Sequence, residues 1–259
     1  MTQDMPLVFI TGASSGIGQA LAARYAQQGW RLALAARRTA EVERWAIAQA
    51  LPRERWAVYG ADVQATDAIA AAGQACIAAQ GLPDVVIANA GISVGMDTAV
   101  RADIDVLRDT LATNVIGTAA TFHPFLAAMR RRGSGTLVGV ASVAAIRGLP
   151  GHGAYCASKA AVVAYCESLR GECRGSGVQV VTLLPGYIAT PLTARNPYPM
   201  PFLMSVEAFA SQAFVTIAAG SSYRVIPWQM AAVAKVLRAL PNFLFDRLLS
   251  GRGRKPRRE

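Results

Sequence analysis

The amino-acid sequence predicts a doubly wound α/β fold, in which helices cover both faces of a mostly parallel sheet of seven strands. Short apolar runs alternate with longer helical segments along the chain, which is typical of parallel β-α-β units. A glycine-rich segment at 12–18 joins the first apolar run to the first helix in a tight turn. With 259 residues, 53% of them apolar, the chain is long enough to form one large domain with a single hydrophobic core.

Each predicted strand is a short apolar run bounded by turn residues. These runs are Pro6–Ile10, Arg31–Ala36, Trp56–Gly60, Asp84–Ala88, Gly135–Ala141, Val178–Leu184 and Tyr223–Ile226. The predicted helices are Ser15–Gln28, Glu41–Ala50, Thr66–Gln80, Asp103–Arg132, Ala154–Arg174, Ser205–Ala219 and Gln229–Leu240. We interpret residues 1–250 as one domain with a proline-rich loop at about 187–204, followed by a basic flexible tail at 251–259.

Charge and cysteine usage restrict the class of protein. The net charge is +10, but nine Lys/Arg and two acidic residues fall between 221 and 259, so the basic character belongs to the C-terminal end. We expect neither a leader peptide nor a membrane-spanning helix, because residues 1–6 hold an acid and no long uncharged apolar stretch occurs. Four cysteines without a CxxC pair, and only two histidines, indicate reduced thiols, no metal site and a cytoplasmic protein.

The segment 11–18 reads TGASSGIG and follows a strand directly. Glycines at 12, 16 and 18 allow a tight turn and a close approach of the backbone to a pyrophosphate. The helix that opens there directs free N–H groups and a positive dipole end at an anion. The segment therefore predicts a nucleotide site, and a glycine-rich turn without a ligand is the alternative.

The end of the second strand indicates which nucleotide is bound. An NAD site places an acid there to hold the ribose hydroxyls, but this chain reads Ala35-Ala36-Arg37-Arg38. A guanidinium pairs with a 2′-phosphate, whereas a carboxylate would repel it. Arg37 and Arg38 therefore favour NADP(H), unless they only solubilise a loop.

Ser142, Tyr155 and Lys159 form the pattern S-x12-Y-x3-K. Tyr155 and Lys159 are four residues apart on a predicted helix and share one face. A phenol can give a proton to a carbonyl oxygen while hydride reaches the carbon, and a nearby ammonium lowers the phenol pKa. A serine hydroxyl can hold the substrate oxygen. These residues predict carbonyl reduction, or alcohol oxidation in reverse.

Together these motifs resemble the short-chain dehydrogenase/reductase family, of the NADP-preferring type, from about Leu7 to Pro191. The resemblance implies a Rossmann-type fold and adds Asn114, in TNVIG, to the catalytic set Ser142, Tyr155 and Lys159. It implies cofactor contacts at Gly12, Ser14, Ser15, Gly16, Ile17, Gly18, Arg37, Arg38, Asp62, Val63, Asn89, Ala90, Gly91, Tyr155, Lys159, Pro185, Gly186, Ile188 and Thr190.

Two positions depart from the family pattern. Ser15 stands where many NADP-preferring relatives carry a basic residue, and Arg37 compensates for it. Many relatives end soon after the seventh strand, in a segment that packs in a tetramer, whereas this chain continues for some thirty residues. We therefore expect a homo-oligomer, with a dimer favoured over the tetramer.

The C-terminal end has two interpretations. The side chains of Phe243, Leu244, Phe245, Leu248 and Leu249 could form one apolar face before a basic cluster, which fits peripheral contact with an anionic membrane. The alternative is a helix that packs over the substrate site or a subunit interface, followed by a solvated tail. We expect no nucleic-acid binding, because no aromatic residues interleave the basic run.

The sequence predicts an NADP(H)-dependent oxidoreductase acting on a small-molecule carbonyl or alcohol. Apolar residues in the loop at 187–204 suggest an apolar substrate, although they could equally pack onto the core. The alternative function is a protein of the same fold that binds nucleotide without turnover, and the intact set Ser142, Tyr155 and Lys159 argues against it.

Overall fold

The computed structural model describes residues 5–194, 196–251 and 253–257. The strands are β1 Leu7–Thr11, β2 Arg31–Ala36, β3 Trp56–Gly60, β4 Val85–Ala88, β5 Gly135–Val140, β6 Val178–Pro185 and β7 Tyr223–Ile226. The helices are α1 Gly16–Gln27, α2 Thr39–Ala48, α3 Thr66–Gln80, α4 Asp103–Leu111, α5 Gly117–Arg132, α6 Gly153–Glu172, α7 Val206–Ala218, α8 Trp228–Ala239 and α9 Asn242–Leu249.

The strands form one parallel sheet in the order β3-β2-β1-β4-β5-β6-β7. Successive residues of a strand face opposite sides, so a strand covered on both faces is apolar throughout. In β1, Phe9 packs with α3, α5 and α6, whereas Ile10 packs with α1, α2 and α7. The predicted doubly wound seven-stranded fold is confirmed.

One predicted helix differs from the structure. The region 103–132 is helical throughout, but a π-helical segment, Ala112–Ile116, separates α4 from α5. A π-turn inserts one extra residue per turn and changes the direction in which the following side chains point. Asn114 lies in this segment and is fully buried.

The C-terminal end packs against the sheet rather than extending from it. The Arg147 guanidinium donates hydrogen bonds to the carbonyl oxygens of Leu237 and Leu240, and it stacks 3.7 Å from the ring centroid of Phe245. Because cations stabilise the carbonyl end of a helix, this contact fixes the corner between α8 and α9 on the loop after β5.

The apolar residues of α9 do not all face solvent, as a single membrane-facing surface would require. Phe245 and Leu249 are buried, whereas Phe243, Leu244 and Leu248 point to solvent. Leu244 and Leu248, and likewise Phe245 and Leu249, are four residues apart, so each pair lies along one row of α9, and only the row of Phe245 and Leu249 is turned towards the protein. Residues 253–257, which belong to the segment expected to be a flexible tail, form hydrogen bonds with Gly95, Leu192 and Asp103 of the body.

Substitution of Gly73 in α3 tests how closely α3 and α5 pack on one face of the sheet. A Cβ at Gly73 would lie 2.4 Å from Cγ of Pro124 in α5, so Gly73→Ala should lower the free energy of unfolding by about 1–3 kcal/mol. Gly171→Ala in α6 is the control, because its surroundings are open and alanine there should stabilise by up to about 1 kcal/mol. Urea denaturation followed by circular dichroism measures both changes, and equal midpoints would contradict the close approach of α3 and α5.

Candidate active site

A cavity of about 470 Å³ lies at the carboxyl edge of the sheet, where the loops after the strands meet. This is the edge at which doubly wound folds bind ligands, and the volume is within the range of ligand pockets. All residues that the sequence analysis assigned to the site line this cavity, with the exceptions of Gly18 and Asn114. Residues that it did not assign also line it: Ala35, Ala36, Ala61, Ile92, Thr113, Val140, Ala141, Pro191, Leu192 and Thr193.

The turn between β1 and α1 has space only for glycine at two positions. Gly12 has a φ of 69°, and a Cβ there would lie 2.9 Å from the Cα of Ala90. A Cβ at Gly18 would lie 2.3 Å from the carbonyl oxygen of Gly12. Gly18 therefore does not face the cavity, and it instead lets α1 approach the turn so that the helix begins beside the cavity.

Hydrogen bonds of Asn89 connect the loop after β4 to this turn. Its Nδ2 donates to the carbonyl oxygens of Thr11, at 3.0 Å, and of Gly12, at 3.4 Å. In return, the Thr11 hydroxyl accepts hydrogen bonds from the backbone N–H groups of Asn89 and Ala90. Thr11 was not among the residues predicted from the sequence, although a hydroxyl at the end of an otherwise apolar strand indicates a polar contact there.

The two arginines after β2 lie differently. Arg37 is exposed and pairs with Asp62, with 3.5 Å between Nη1 and Oδ2. Arg38 donates to the hydroxyl oxygens of Ser14, at 3.0 Å, and Ser15, at 3.4 Å, and it pairs with Glu41. Arg38 thereby links the end of β2 to the turn before α1, so both guanidinium groups border the cavity.

Ser142, Tyr155 and Lys159 come together at the far end of the cavity. The Ser142 Oγ accepts a hydrogen bond from the backbone N–H of Ala144, at 3.1 Å, and its side chain hydrogen-bonds to the Tyr155 phenol. The Lys159 Nζ donates to the carbonyl oxygen of Val140, at 2.8 Å, and lies 5.8 Å from the centroid of the Tyr155 ring.

Burial controls the protonation of this group. Burial raises the pKa of Tyr155, and the hydrogen bond with Ser142 opposes this effect only in part. Burial also lowers the pKa of Lys159 to about 8. The net shift in the pKa of Tyr155 is therefore opposite in direction to the lowering expected from Lys159, because desolvation of the phenolate is the largest cause of the shift.

Asn114 lies behind the cavity rather than in its wall. Its Nδ2 donates to the carbonyl oxygen of Ile92, at 3.0 Å, and to the Ser158 hydroxyl, at 2.9 Å, while its Oδ1 accepts from the Ile92 N–H. A Cβ at Gly91 would lie 3.2 Å from the Asn114 Oδ1 and 3.4 Å from the Lys159 Nζ. The carboxamide is thus held close to Lys159, and Ser158 is a supporting residue that the sequence analysis missed.

The loop at 187–204 folds back on itself beside this group. Ile188 pairs with Met204 as an isolated parallel bridge, and the Thr193 hydroxyl donates to the carbonyl oxygen of Ile188. Further along, the Tyr198 hydroxyl lies 3.0 Å from Nε2 of His152, at the N-terminal end of α6. The loop therefore contacts the helix that carries Tyr155; residue 195 within it lies outside the described residues.

Comparison with known proteins agrees with the geometry. A family model described as short chain dehydrogenase matches residues 6–198. An uncharacterized oxidoreductase from Myxococcus xanthus is 40% identical over 243 residues, which cover 92% of this chain and 93% of that protein.

Solved structures share the fold. A short chain dehydrogenase/reductase from Burkholderia phymatum, in complex with NAD, has a TM-score of 0.82 at 23% identity over 100% of this chain and 99% of that one. An alcohol dehydrogenase from Thermococcus sibiricus, complexed with 5-hydroxy-NADP, has a TM-score of 0.77 at 24% identity over 86% and 96%. Since the fold occurs with both kinds of nucleotide, it does not decide between them. The family match and the Myxococcus relative together show that this chain belongs to the short-chain dehydrogenase family of oxidoreductases.

Proposed function

We propose that the protein is an NADP(H)-dependent oxidoreductase that interconverts a carbonyl compound and an alcohol, with Tyr155 as the acid and base. The observation that carries this proposal is the arrangement of one cavity. A glycine turn and two guanidinium groups border one end, and the set Ser142, Tyr155 and Lys159, of which Ser142 and Lys159 are buried, borders the other. A dinucleotide is the kind of ligand that could occupy both ends.

The residues at the cavity fit a nicotinamide dinucleotide. Gly12 and Gly18 have no space for a Cβ, so the backbone packs tightly at the start of α1, whose free N–H groups can approach a pyrophosphate, and no acid lies in the first turn of α1. Asp62 and Val63 would border the adenine end, and Pro185, Gly186, Ile188 and Thr190 the nicotinamide end. When bound, the nicotinamide supplies or accepts a hydride.

The protein's own groups would handle the proton. The raised pKa keeps Tyr155 protonated at neutral pH, which suits donation of a proton to the carbonyl oxygen during reduction. With its Oγ already accepting from Ala144, the Ser142 hydroxyl can donate to the same substrate oxygen. Lys159 would hold the nicotinamide ribose, and Asn114 would position Lys159 through a water. Binding of nucleotide without turnover is not favoured, because it would need none of these proton-handling groups.

Removal of the phenol hydroxyl tests the role of Tyr155. For any carbonyl compound that the native protein reduces with NADPH, Tyr155→Phe should lower kcat by roughly 10²–10⁴, because the proton donor is lost. NADPH affinity should stay within about threefold. Tyr165→Phe is the matched control on the same helix, where the ring stacks on Phe122, and it should keep native turnover. Native turnover by Tyr155→Phe would exclude this tyrosine as the proton donor.

The preference for NADP(H) rests on Arg37 and Arg38. Both guanidinium groups border the cavity beside the turn, and their acidic partners, Asp62 and Glu41, are each partly exposed. A 2′-phosphate brings charge-assisted hydrogen bonds that a ribose hydroxyl does not. The two serines that bind Arg38 hold its guanidinium in place.

Nucleotide titration tests this preference. We expect Arg37→Ala and Arg38→Ala each to weaken NADPH binding by roughly 10–100-fold, which corresponds to the loss of about 1.5–3 kcal/mol from a charged hydrogen bond. NADH binding should be unchanged, and Arg44→Ala, on the exposed side of α2, should change neither affinity. Titration followed by nucleotide fluorescence measures the NADPH and NADH affinities of all three variants. NADH binding as tight as that of NADPH in the native protein would instead assign NAD.

We further propose a cytoplasmic homodimer acting on a substrate with an apolar part. The buried free thiols of Cys76, Cys156, Cys166 and Cys173 support a reducing compartment. Within the described residues no helix combines the length and the apolarity needed to cross a bilayer. In the loop at 187–204, Leu192, Phe202 and Leu203 expose apolar side chains that could meet a substrate.

Exposed apolar residues of α8 and α9 support the dimer. Trp228, Phe243 and Leu248 are half-exposed or more, whereas Lys255 and Arg257 bind the body of the protein and so are not turned to a membrane. Light scattering should give twice the 27.3 kDa of one chain. Trp228→Ser should shift the mass towards the monomer, and Ile47→Ser, an exposed residue of α2, should not. A monomer that sediments with anionic vesicles would favour membrane contact instead.

A further inference from the structure

Residues 253–257, which we term the C-terminal strap, lie across three loops of the body. The backbone N–H of Gly95, after β4, donates to the carbonyl oxygen of Pro256 at 3.0 Å. The Arg254 side chain covers Gly151, in the loop after β5. The Lys255 Nζ donates to the carbonyl oxygen of Leu192, after β6, at 3.2 Å. These loops follow the strands whose carboxyl ends meet at the cavity.

An ion pair with a buried acid anchors the end of the strap. The Nε and Nη2 of Arg257 approach the two carboxylate oxygens of Asp103 at 2.6 and 3.3 Å. Asp103 is 2% exposed at the start of α4, and its Oδ2 also accepts from the backbone N–H of Asp97. A two-pronged guanidinium–carboxylate pair with a buried partner is costly to break, because it would leave the carboxylate uncompensated.

The loop after β4 is shaped to receive the strap. A Cβ at Gly95 would lie 2.0 Å from the carbonyl oxygen of Lys255, and a second strap carbonyl, that of Pro256, would be 2.8 Å away. The backbone at Gly95 lies outside the left-handed region, so alanine could adopt its conformation. Only the strap therefore requires glycine at this position.

The strap contacts a residue of the cavity wall. Leu192, which accepts the Lys255 hydrogen bond, lines the same cavity as Tyr155. The strap also lies beside the start of α6, because the Arg254 side chain covers Gly151, and the charge of Lys255 is one of the causes, after burial, that lower the pKa of the adjacent His152. His152 in turn contacts Tyr198, whose pKa burial raises to about 12 with further contributions from Tyr187 and Tyr155.

Lys255 is the strap cation without an acidic partner among the described residues. Arg254 lies 3.9 Å from Asp97, and Arg257 binds Asp103. Lys255 has only a carbonyl oxygen, although it is partly buried. A cation removed from water gains from an opposite charge at short range, and Leu192, whose carbonyl oxygen Lys255 binds, lines the cavity.

We propose that the C-terminal strap forms the outer wall of the substrate site and that Lys255 selects carbonyl substrates that carry a carboxylate. The reactive carbonyl would lie at Tyr155, the apolar part of the substrate along the loop at 187–204, and the carboxylate at Lys255. This inference rests on the proposed function.

The placement of the strap is tested first, without substrate. Trypsin cleaves after Arg254 only when the strap leaves the body, so Gly95→Ala should speed this cleavage by about tenfold or more. Gly148→Ala, in the loop after β5 with open space around it, should match the native rate. Unchanged NADPH affinity in both variants would show that the cofactor site is intact. Equal cleavage rates for Gly95→Ala and the native protein would overturn the placement.

The selectivity is tested with an aliphatic long-chain oxo acid and its methyl ester, both with NADPH. Lys255→Gln should lower kcat/KM for the acid by about tenfold and leave the ester within twofold, as expected for loss of one partly buried charge pair. Lys235→Gln, on the exposed side of α8, should change neither. An equal effect on acid and ester, or a native preference for the ester, would overturn the role of Lys255.

Calorimetry separates failure of this inference from failure of the proposed function. If the native protein binds NADPH but reduces neither compound, the proposed function fails for these two substrates. The role of Lys255 is then tested by measuring how tightly the acid and the ester bind to the complex of the protein with NADPH. We expect the acid to bind more tightly than the ester and to lose that advantage in Lys255→Gln. Absence of acid binding, or binding that Lys255→Gln leaves unchanged, would overturn the inference.

Discussion

The turn after β1 and the loop after β4 approach each other so closely that side-chain volume is excluded between them. Gly12 and Gly18 have no space for a Cβ, and the Asn89 amide bridges to two carbonyl oxygens across the contact. Because β1 and β4 are neighbours at the centre of the sheet, this contact sets the width of the crevice. The start of α1, the floor of the cavity and the position of Gly91 beside Lys159 all depend on it.

The reactive group at the other end is positioned by burial and backbone contacts. Lys159 is held by a carbonyl oxygen of β5, and Asn114 is held by the loop after β4. In both cases the partner is a backbone carbonyl oxygen. The π-helical segment has a role here, because its altered periodicity carries Asn114 into the interior, where an ordinary helix would direct that position differently. The electrostatics of the site are thus a product of the sheet and of two helices.

Much of the site could be predicted from the sequence because its constraints are local. The glycine spacing indicates a turn in which backbone segments approach each other closely. The four-residue separation of Tyr155 and Lys159 indicates that they share one face of a helix. Other features depend on contacts between distant segments and left no local signal. The bond from Arg38 to Ser14, and the fit of Gly95 to the strap, join residues that are 24 and about 160 positions apart. The direction of the Tyr155 pKa shift was missed because burial around the phenol is a tertiary property.

The anchor between Arg257 and Asp103 joins positions 154 residues apart. Closing so long a loop costs conformational entropy, and the contact compensates for this cost only when the intervening chain is already ordered. The strap can dock only when the loops after β4, β5 and β6 are already in place. Ordering of these loops is therefore a condition for docking of residues 253–257, and a change that loosens any one of the loops also loosens the strap.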